Sequence, residues 1–436
     1  MTSIFWHRRD LRIHDNAGLY KALKAEKAVQ PIFIFDKAIL DKLPSDDQRI
    51  IFIHQEIVHL KAEYRKLGAD LMVFYGEPLT IFQELVSQNS FKKIYTNRDY
   101  EPYALERDKA VYDFLLDKNI AFSGSKDHVI FEKNEVLKAD ASPYTIFTPY
   151  SRKWKEKLNE KPTDFYLSTY PTEKYLDHLV KSTLTSIPSL EDLGFDSTKT
   201  VDFPSQNFPR KIISTYNETR DIPSVLGTSR LSLHLRFGTI SIRELAREAK
   251  KYNETYLNEL IWRDFYQMII FHFPHSVKNS FKKQYDLIEW EHNENHFNAW
   301  CEGQTGYPLV DAGMRELNAT GFMHNRVRMV VASFLTKHLL IDWRLGETYF
   351  AEKLLDFELA SNIGGWQWAA GSGCDAAPYF RVFNPTSQQE KFDKHFEYIK
   401  KWVPEFGTSL YPAPIIDHKF ARERVLERYK QALKPA

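Results

Sequence analysis

The chain is poor in cysteine: Cys301 and Cys374 are the only two among 436 residues, and they lie far apart. They make no Cys-x-x-Cys pair and no metal-ligand spacing, which excludes a disulfide framework and makes a reducing compartment the default. No apolar run reaches the ~20 residues that a membrane helix requires. The opening Met1-Thr2-Ser3-Ile4-Phe5-Trp6-His7-Arg8-Arg9-Asp10 has charges where a secretory leader would be apolar. A cytoplasmic protein with no membrane partner is the expectation. Excess charge is missing too. The net charge is +1 and neither half departs far from neutrality, so any nucleic-acid contact must come from a local patch rather than a basic domain. No Gly-x-Gly-x-x-Gly follows the first predicted strand, and the lookalike Gly371-Ser372-Gly373 follows no strand at all. There is no internal repeat, no low-complexity tract and no metal cluster, so no metal site is expected.

Flat rings, by contrast, are plentiful. The sequence has 9 Trp, 23 Tyr and 31 Phe, 14% of the chain. That suits a protein that handles planar ligands, and equally one with a thick aromatic core. Hydrophobic residues make up 43%, and the length allows two or three domains.

Short apolar runs at Ser3–His7, Pro31–Phe35, Leu71–Tyr75 and Lys93–Thr96 alternate with helical patterns at Asn16–Ala25, Gln48–Leu67, Leu79–Ser87 and Ala104–Lys118. This alternation predicts a parallel sheet covered by helices on both faces, an α/β Rossmann-like domain over residues 1–125. Residues 126–205 are Ser/Thr-rich and punctuated by prolines, Pro143, Pro149, Pro162, Pro171, Pro188 and Pro204 among them. They read as an interdomain linker with a short helix near Tyr150–Leu158. From 206 to 436, 3.6-residue spacing at Ile240–Lys250, Asn258–Phe271, Leu309–Ala319, Arg326–Lys337 and Thr348–Leu359 predicts an all-α domain.

Several stretches carry side chains that a plain core does not need. His7-Arg8-Arg9-Asp10-Leu11-Arg12-Ile13-His14-Asp15-Asn16 is a charged turn, read on its own as solvated and salt-bridged, with Asp15 or Asn16 capping the next helix. Tyr216 and Arg220 precede Gly227-Thr228-Ser229-Arg230-Leu231-Ser232, whose hydroxyls and backbone N–H groups can hold a phosphate or simply cap a helix. Glu259, Trp262, Arg263 and Tyr266 fall on one helix face at i, i+3, i+4 and i+7. Such a face is a poor core and a good wall for a pocket that stacks a ring and hydrogen-bonds its edge. In His324-Asn325-Arg326-Val327-Arg328-Met329, residues Asn325, Arg328 and Met329 share a face. Asp356-Phe357-Glu358 leads into Asn362-Ile363-Gly364-Gly365-Trp366-Gln367-Trp368, followed by Asp375-Ala376-Ala377-Pro378-Tyr379-Phe380-Arg381.

In this order, over nearly the whole chain, these strings resemble the photolyase/cryptochrome family, most closely its class I cyclobutane pyrimidine dimer (CPD) photolyases. The resemblance implies a photolyase-type α/β domain, an all-α FAD-binding domain, and light-dependent repair of CPDs in DNA by electron transfer from photoexcited FAD, reduced and anionic. It makes Tyr216, Thr228, Ser229, Arg230, Leu231, Ser232, Trp262, Arg263, Asn325, Arg328, Asp356, Glu358 and Asn362 the FAD-binding set, with Arg328 paired to Asp356 beside the flavin. Asn362 matches the position facing flavin N5, where an amide can donate or accept. Glu358 stands where many relatives carry Asp. Trp366, Trp343 and Trp290 match an electron-hopping chain to the surface. For the lesion, the resemblance implies Glu259 on the dimer's carbonyl edge, Trp262 and Trp368 as an aromatic wedge, Met329 as soft packing, and Asn325 in the same pocket. Arg220, Arg326 and Arg381, with Lys278, Lys282 and Lys283, are the phosphate candidates.

The implied partner is UV-damaged DNA, single- or double-stranded, met by a monomer. A second, antenna chromophore in the first domain is a further implication. Folate-type members use an Asn-Glu pair where this chain has Tyr103-Ala104, which favours a deazaflavin or FMN over a folate. The alternatives are a blue-light photoreceptor and a (6-4) photolyase. The (6-4) enzymes place a histidine pair where Asn325 and Met329 stand, and many signalling members extend into a long tail beyond the last helix.

Overall fold

The computed structural model describes residues 1–161, 164–181, 185–196 and 201–434, so Pro162 of the predicted linker lies outside it. The chain divides into two compact units. The first comprises Met1–Glu135, Lys155–Phe208 and Leu231–Glu248; the second comprises Val136–Trp154, Pro209–Arg230 and Ala249–Ala436.

In the first unit, β1 (Thr2–His7), β2 (Val29–Asp36), β3 (Met72–Gly76), β4 (Phe91–Asn97) and β5 (Ala121–Ser125) form a parallel sheet in the order β3-β2-β1-β4-β5. β2 is buried along its whole length, as expected of an interior strand covered on both faces. β5 was not legible in the sequence: Ala121-Phe122-Ser123-Gly124-Ser125 is a mostly half-exposed edge strand whose one large apolar residue is Phe122, with no apolar run. Helices α1 (Ala17–Ala25), α2 (Gln48–Lys66), α3 (Pro78–Gln88) and α4 (Pro102–Asp117) begin on strong start signals. Asn16 Oδ1 accepts from Leu19 N–H, Asp47 accepts from Arg49 N–H, and prolines open α3 and α4.

The strand order reverses between β1 and β4, which puts a crevice at their C-terminal ends. Side chains of the unit itself line that end. Asn97 Nδ2 donates to Asp10 (2.6 Å) and Asn16 (2.8 Å), while its Oδ1 accepts from Gly18 N–H at 2.9 Å. A Cβ on Gly18 would lie 2.7 Å from that oxygen, so only glycine lets α1 come this close. The His7–Asn16 turn is therefore not the solvated loop expected. Arg12 pairs with Asp127 (2.7 Å), and Arg243 pairs with Asp15 (3.1 Å) and Asp127 (2.9 Å), all four buried. Burial alone would push the Asp127 carboxyl up, but Arg12 and Arg243 outweigh it and hold the group well below the usual range.

The described part of the second unit is helical: α5 (Phe147–Asn159) begins in it, followed by α6 (Glu254–His272), α7 (Pro308–Thr320), α8 (Asn325–Ser333), α9 (Trp343–Lys353), α10 (Leu359–Ala370) and α11 (His418–Ala432). α10 packs against α6, α8 and α9. Trp300, Trp343, Phe350 and Trp366 are buried in the core so formed. Two predicted helices are corrected. The α-helix expected over Arg326–Lys337 stops at Ser333, and Phe334–His338 continues as a π-helical turn. The expected Thr348–Leu359 helix is two elements. Leu354 is extended (φ −74°, ψ 125°), and Leu355 N–H donates to Gly321 O at 2.9 Å, so the apolar spacing that continued through Leu354 and Leu355 served tertiary packing. Among the described residues no helix is long and apolar enough to cross a membrane, and no group of three or more His, Cys, Asp or Glu is placed to hold a metal.

Candidate active site in the second unit

α6 is capped by Asn253, whose side chain accepts from Tyr256 N–H. Its polar face then makes two ion pairs. Glu259 pairs with Arg220 at 2.5 Å, and Arg220 lies 5.3 Å over the Tyr216 ring. Burial pushes the Glu259 carboxyl up, and Arg220 opposes it without cancelling it. One turn on, Arg263 pairs with Glu358 at 2.9 Å, and Glu358 also accepts from Ser361 Oγ at 3.1 Å. Between them Trp262 is half-buried and stacks on Phe147, with ring centroids 3.7 Å apart and planes within 4°. The Tyr266 ring lies where a Cβ on Gly364 would be, so that glycine is what lets α6 and α10 meet.

Next along α10, Asn362 Nδ2 donates to Glu347 Oε1 (2.8 Å) and to the Glu347 carbonyl (3.1 Å). A carbonyl cannot donate, so the amide NH2 must face Glu347 and the group left to present is the acceptor Oδ1. Burial raises the Glu347 carboxyl, with Asn362 opposing. Gly365 is the one exposed residue of α10, and outside its own helix backbone and chain neighbours no described atom lies within 4 Å of the position its Cβ would take. Glu358, the N-cap of α10, precedes Asn362 and Gly365 at i, i+4 and i+7, and the exposed Gly365 lets a flat group approach the helix closely. On α8, Arg328 donates to Asp356 at 3.1 and 3.2 Å and to the Met323 carbonyl at 2.7 Å.

The Gly227 turn is tight: a Cβ there would fall 2.6 Å from the Thr219 carbonyl oxygen. Ser229 Oγ and Tyr256 OH are hydrogen-bonded at 2.7 Å, and Thr228 is half-buried. Arg230 is held at φ +54°, unusual for a side chain of its size, with its guanidinium 4.3 Å over Phe322. Buried Leu231 and exposed Ser232 continue the turn and are grouped with the first unit.

The remaining predicted residues occupy the rim and the core. Arg326 donates to Asp221 at 2.7 and 3.2 Å and lies 4.3 Å over Phe392. Asn325 is exposed and Met329 half-buried. Trp368 is half-buried, 6.3 Å from Phe383, and the exposed Arg381 lies 5.6 Å over the same Phe383 ring. Trp366 and Trp343 are buried in one core, with half-buried Trp290 packed against it. The nearest rings to Trp366 are Phe350 (5.0 Å) and Trp300 (6.0 Å). Sequence reasoning missed Phe147, Asp221, Glu347 and Trp300. Only Asp221, adjacent to Arg220, carried a local signal, because the others reach the site from segments remote in sequence.

The donor set suits FAD: an uncovered face with an acceptor and a glycine for a flat ring, flanking ion pairs, and a hydroxyl-bearing turn for phosphate. The comparisons agree. Residues 256–409 match the model for the FAD binding domain of DNA photolyase, and residues 3–167 match that for DNA photolyase. A deoxyribodipyrimidine photo-lyase of Synechococcus is 35% identical, covering 98% of this chain and 96% of its own length. The chain belongs to the DNA photolyase family. Two solved members extend the likeness to three dimensions. A bacterial class III photolyase from Agrobacterium tumefaciens gives a TM-score of 0.88 at 31% identity, with 100% and 98% of the two chains covered. An archaeal photolyase from Sulfolobus tokodaii, described with two FAD molecules and the implication of a novel light-harvesting cofactor, gives a TM-score of 0.80 at 34% identity, with 99% and 100% covered.

Proposed function

We propose that this chain is a deoxyribodipyrimidine photo-lyase that reverses cyclobutane pyrimidine dimers in DNA with light. The observation that carries this reading is the α6 face, where a raised-pKa carboxyl, a stacked indole and a buried arginine pair stand in successive helical positions within the matched FAD-binding segment. When bound, FAD in its reduced, anionic form would supply light-driven one-electron chemistry under blue or near-UV light. The chain's own task is positioning and electrostatics.

Arg328 with Asp356, Arg263 with Glu358, and the acceptor Oδ1 of Asn362 would hold the ring system. Tyr216 and the turn Thr228, Ser229 and Arg230 would hold the phosphates, with Asn325 at the edge. A damaged base pair leaves the stack at reduced cost, and photolyases as a class take their target bases out of the duplex in this way. Trp262 and Trp368 give the extruded dimer apolar walls, Met329 an adaptable surface, and Glu259 a hydrogen bond to its carbonyl edge, in its protonated form as the donor. Arg326 and Arg220 are preorganised over Phe392 and Tyr216, with Asp221 and Glu259 as their partners until DNA phosphate competes; Arg381 adds an exposed charge. Trp366, Trp343 and Trp290 form the reducing path.

Residues 1–125 form the antenna part in this reading, 126–205 the connection and 206–436 the catalytic part. Tyr103 donates to Asp36 at 2.7 Å, with Arg107 3.8 Å from the same carboxylate, an aromatic and charged edge that suits a deazaflavin or flavin better than a folate. The protein acts as a monomer in the cytoplasm, where DNA is accessible. The test is equilibrium binding in the dark: reduced protein should hold an oligothymidine bearing one dimer far more tightly than the undamaged strand. Equal affinity would reject the lesion assignment.

A further inference from the structure

The segment Val136–Trp154 lies between stretches of the first unit in sequence but belongs to the second. Its contacts there are specific. Phe147, Tyr150 and Trp154 fall at i, i+3 and i+7 on α5, one face of the helix. Phe147 stacks on Trp262, Tyr150 lies 5.1 Å from Phe265, and Trp154 Nε1 donates to Asp264 Oδ2 at 3.0 Å. This face runs along α6, beside the face that carries Glu259 and Arg263. Phe147 is also the first residue of α5, where backbone N–H groups lack helical partners. Its N–H donates to Asp375 Oδ2 at 3.0 Å, from the loop after α10. A carboxylate at a helix N-terminus is favourably placed, and this one fixes the height of the Phe147 ring.

The geometry points to Phe147 as a positioning residue for lesion recognition, set by Asp375, that acts by holding Trp262. The inference rests on the reading of Trp262 as the dimer's platform. A parallel stack at 3.7 Å leaves no room between the rings, so the accessible part of Trp262 lies away from Phe147. An indole backed on one face cannot rotate about its side-chain bonds without losing that contact, and a platform already in place costs less ordering when the lesion arrives. Phe147 itself touches neither the dimer nor the flavin in this account. Its loss is felt in binding rather than in the light-driven step.

The experiment compares Phe147→Ala, Phe147→Leu and Phe147→Tyr with Trp262→Ala in the full-length, FAD-loaded, reduced protein. The readouts are the Kd for a dimer-bearing oligothymidine and the quantum yield at saturating substrate. Phe147→Ala and Phe147→Leu should each raise Kd about tenfold, the scale of one lost aromatic pair, with the yield within about twofold of the parent. Phe147→Tyr, which keeps the flat ring, should restore the affinity. Leucine keeps most of the volume, so the comparison stands even if the alanine variant folds poorly. Parent-like affinity in Phe147→Leu, alongside weakened binding in Trp262→Ala, overturns the inference and leaves the lesion site intact. Parent-like binding in Trp262→Ala rejects the platform reading itself and takes this inference with it.

Discussion

Glu259 stands under two opposing influences, burial that raises its pKa and Arg220 that lowers it, with burial the larger. A carboxyl so balanced is suited to donating to a dimer carbonyl when protonated. Glu259→Ala should keep bound FAD and lose roughly tenfold in repair efficiency, the scale of one stabilising hydrogen bond in the transition state. Repair per absorbed photon on a single-dimer oligonucleotide measures it, and a yield equal to the parent's would remove Glu259 from the mechanism. Asn362 shows how much of a residue's role its neighbours set. Its identity in the sequence allowed an amide that donates or accepts; Glu347, fifteen residues away, takes both donors and leaves an acceptor. No spacing rule connects that pair, which is why the sequence left the choice open.

At the scale of elements, the start of α8 carries a pH dependence. His324 is its N-cap, and Nδ1 accepts from Arg326 N–H at 3.2 Å, which requires the neutral ring. Burial, helped by the nearby Arg328 charge and opposed by Asp221, pushes the imidazole down to about 4. An unfolded histidine titrates near ~6.5. Between those values the unfolded chain binds more protons, so this contribution to stability is complete above about pH 6.5 and is lost as pH falls toward 4. The loss is on the order of 3 kcal/mol. His324→Asn keeps a capping side chain without the titration and should flatten the acid limb of a denaturant-midpoint curve across that window; an unchanged limb would assign the acid sensitivity elsewhere. Element identity was largely legible, since β1 to β4 and α1 to α4 follow from alternating periodicity and start signals. Element boundaries were less so. The gap between α9 and α10 was hidden because Leu354 and Leu355 keep helical spacing while packing outside a helix. β5 was hidden because an edge strand need not be apolar.

For the molecule as a whole, the sequence showed a parallel α/β part followed by helices, and the candidate site residues lie largely in the second unit. It did not show that Val136–Trp154 and Leu231–Glu248 each group with the unit other than that of their surroundings in sequence, because such exchanges are decided by long-range contacts. The buried tryptophans make a prediction at this scale. Trp343 has no hydrogen-bond partner for its indole N–H among the described residues, and Trp366 is seated where Gly346 gives it room. Trp343→Phe should block light-driven reduction of the oxidised protein by external donors, yet leave repair by chemically pre-reduced protein at the parent's rate. Failure of both activities would show that Trp343 is needed for the site itself rather than for electron supply.

The most direct measurement is illumination of the anaerobically reduced protein with UV-damaged oligothymidine, following the return of thymine absorbance. The account predicts recovery under blue or near-UV light and none in the dark. A yellow, photoreducible protein that restores no absorbance would contradict it, and would leave a flavin-binding light receptor or a (6-4) photolyase as the function of this site.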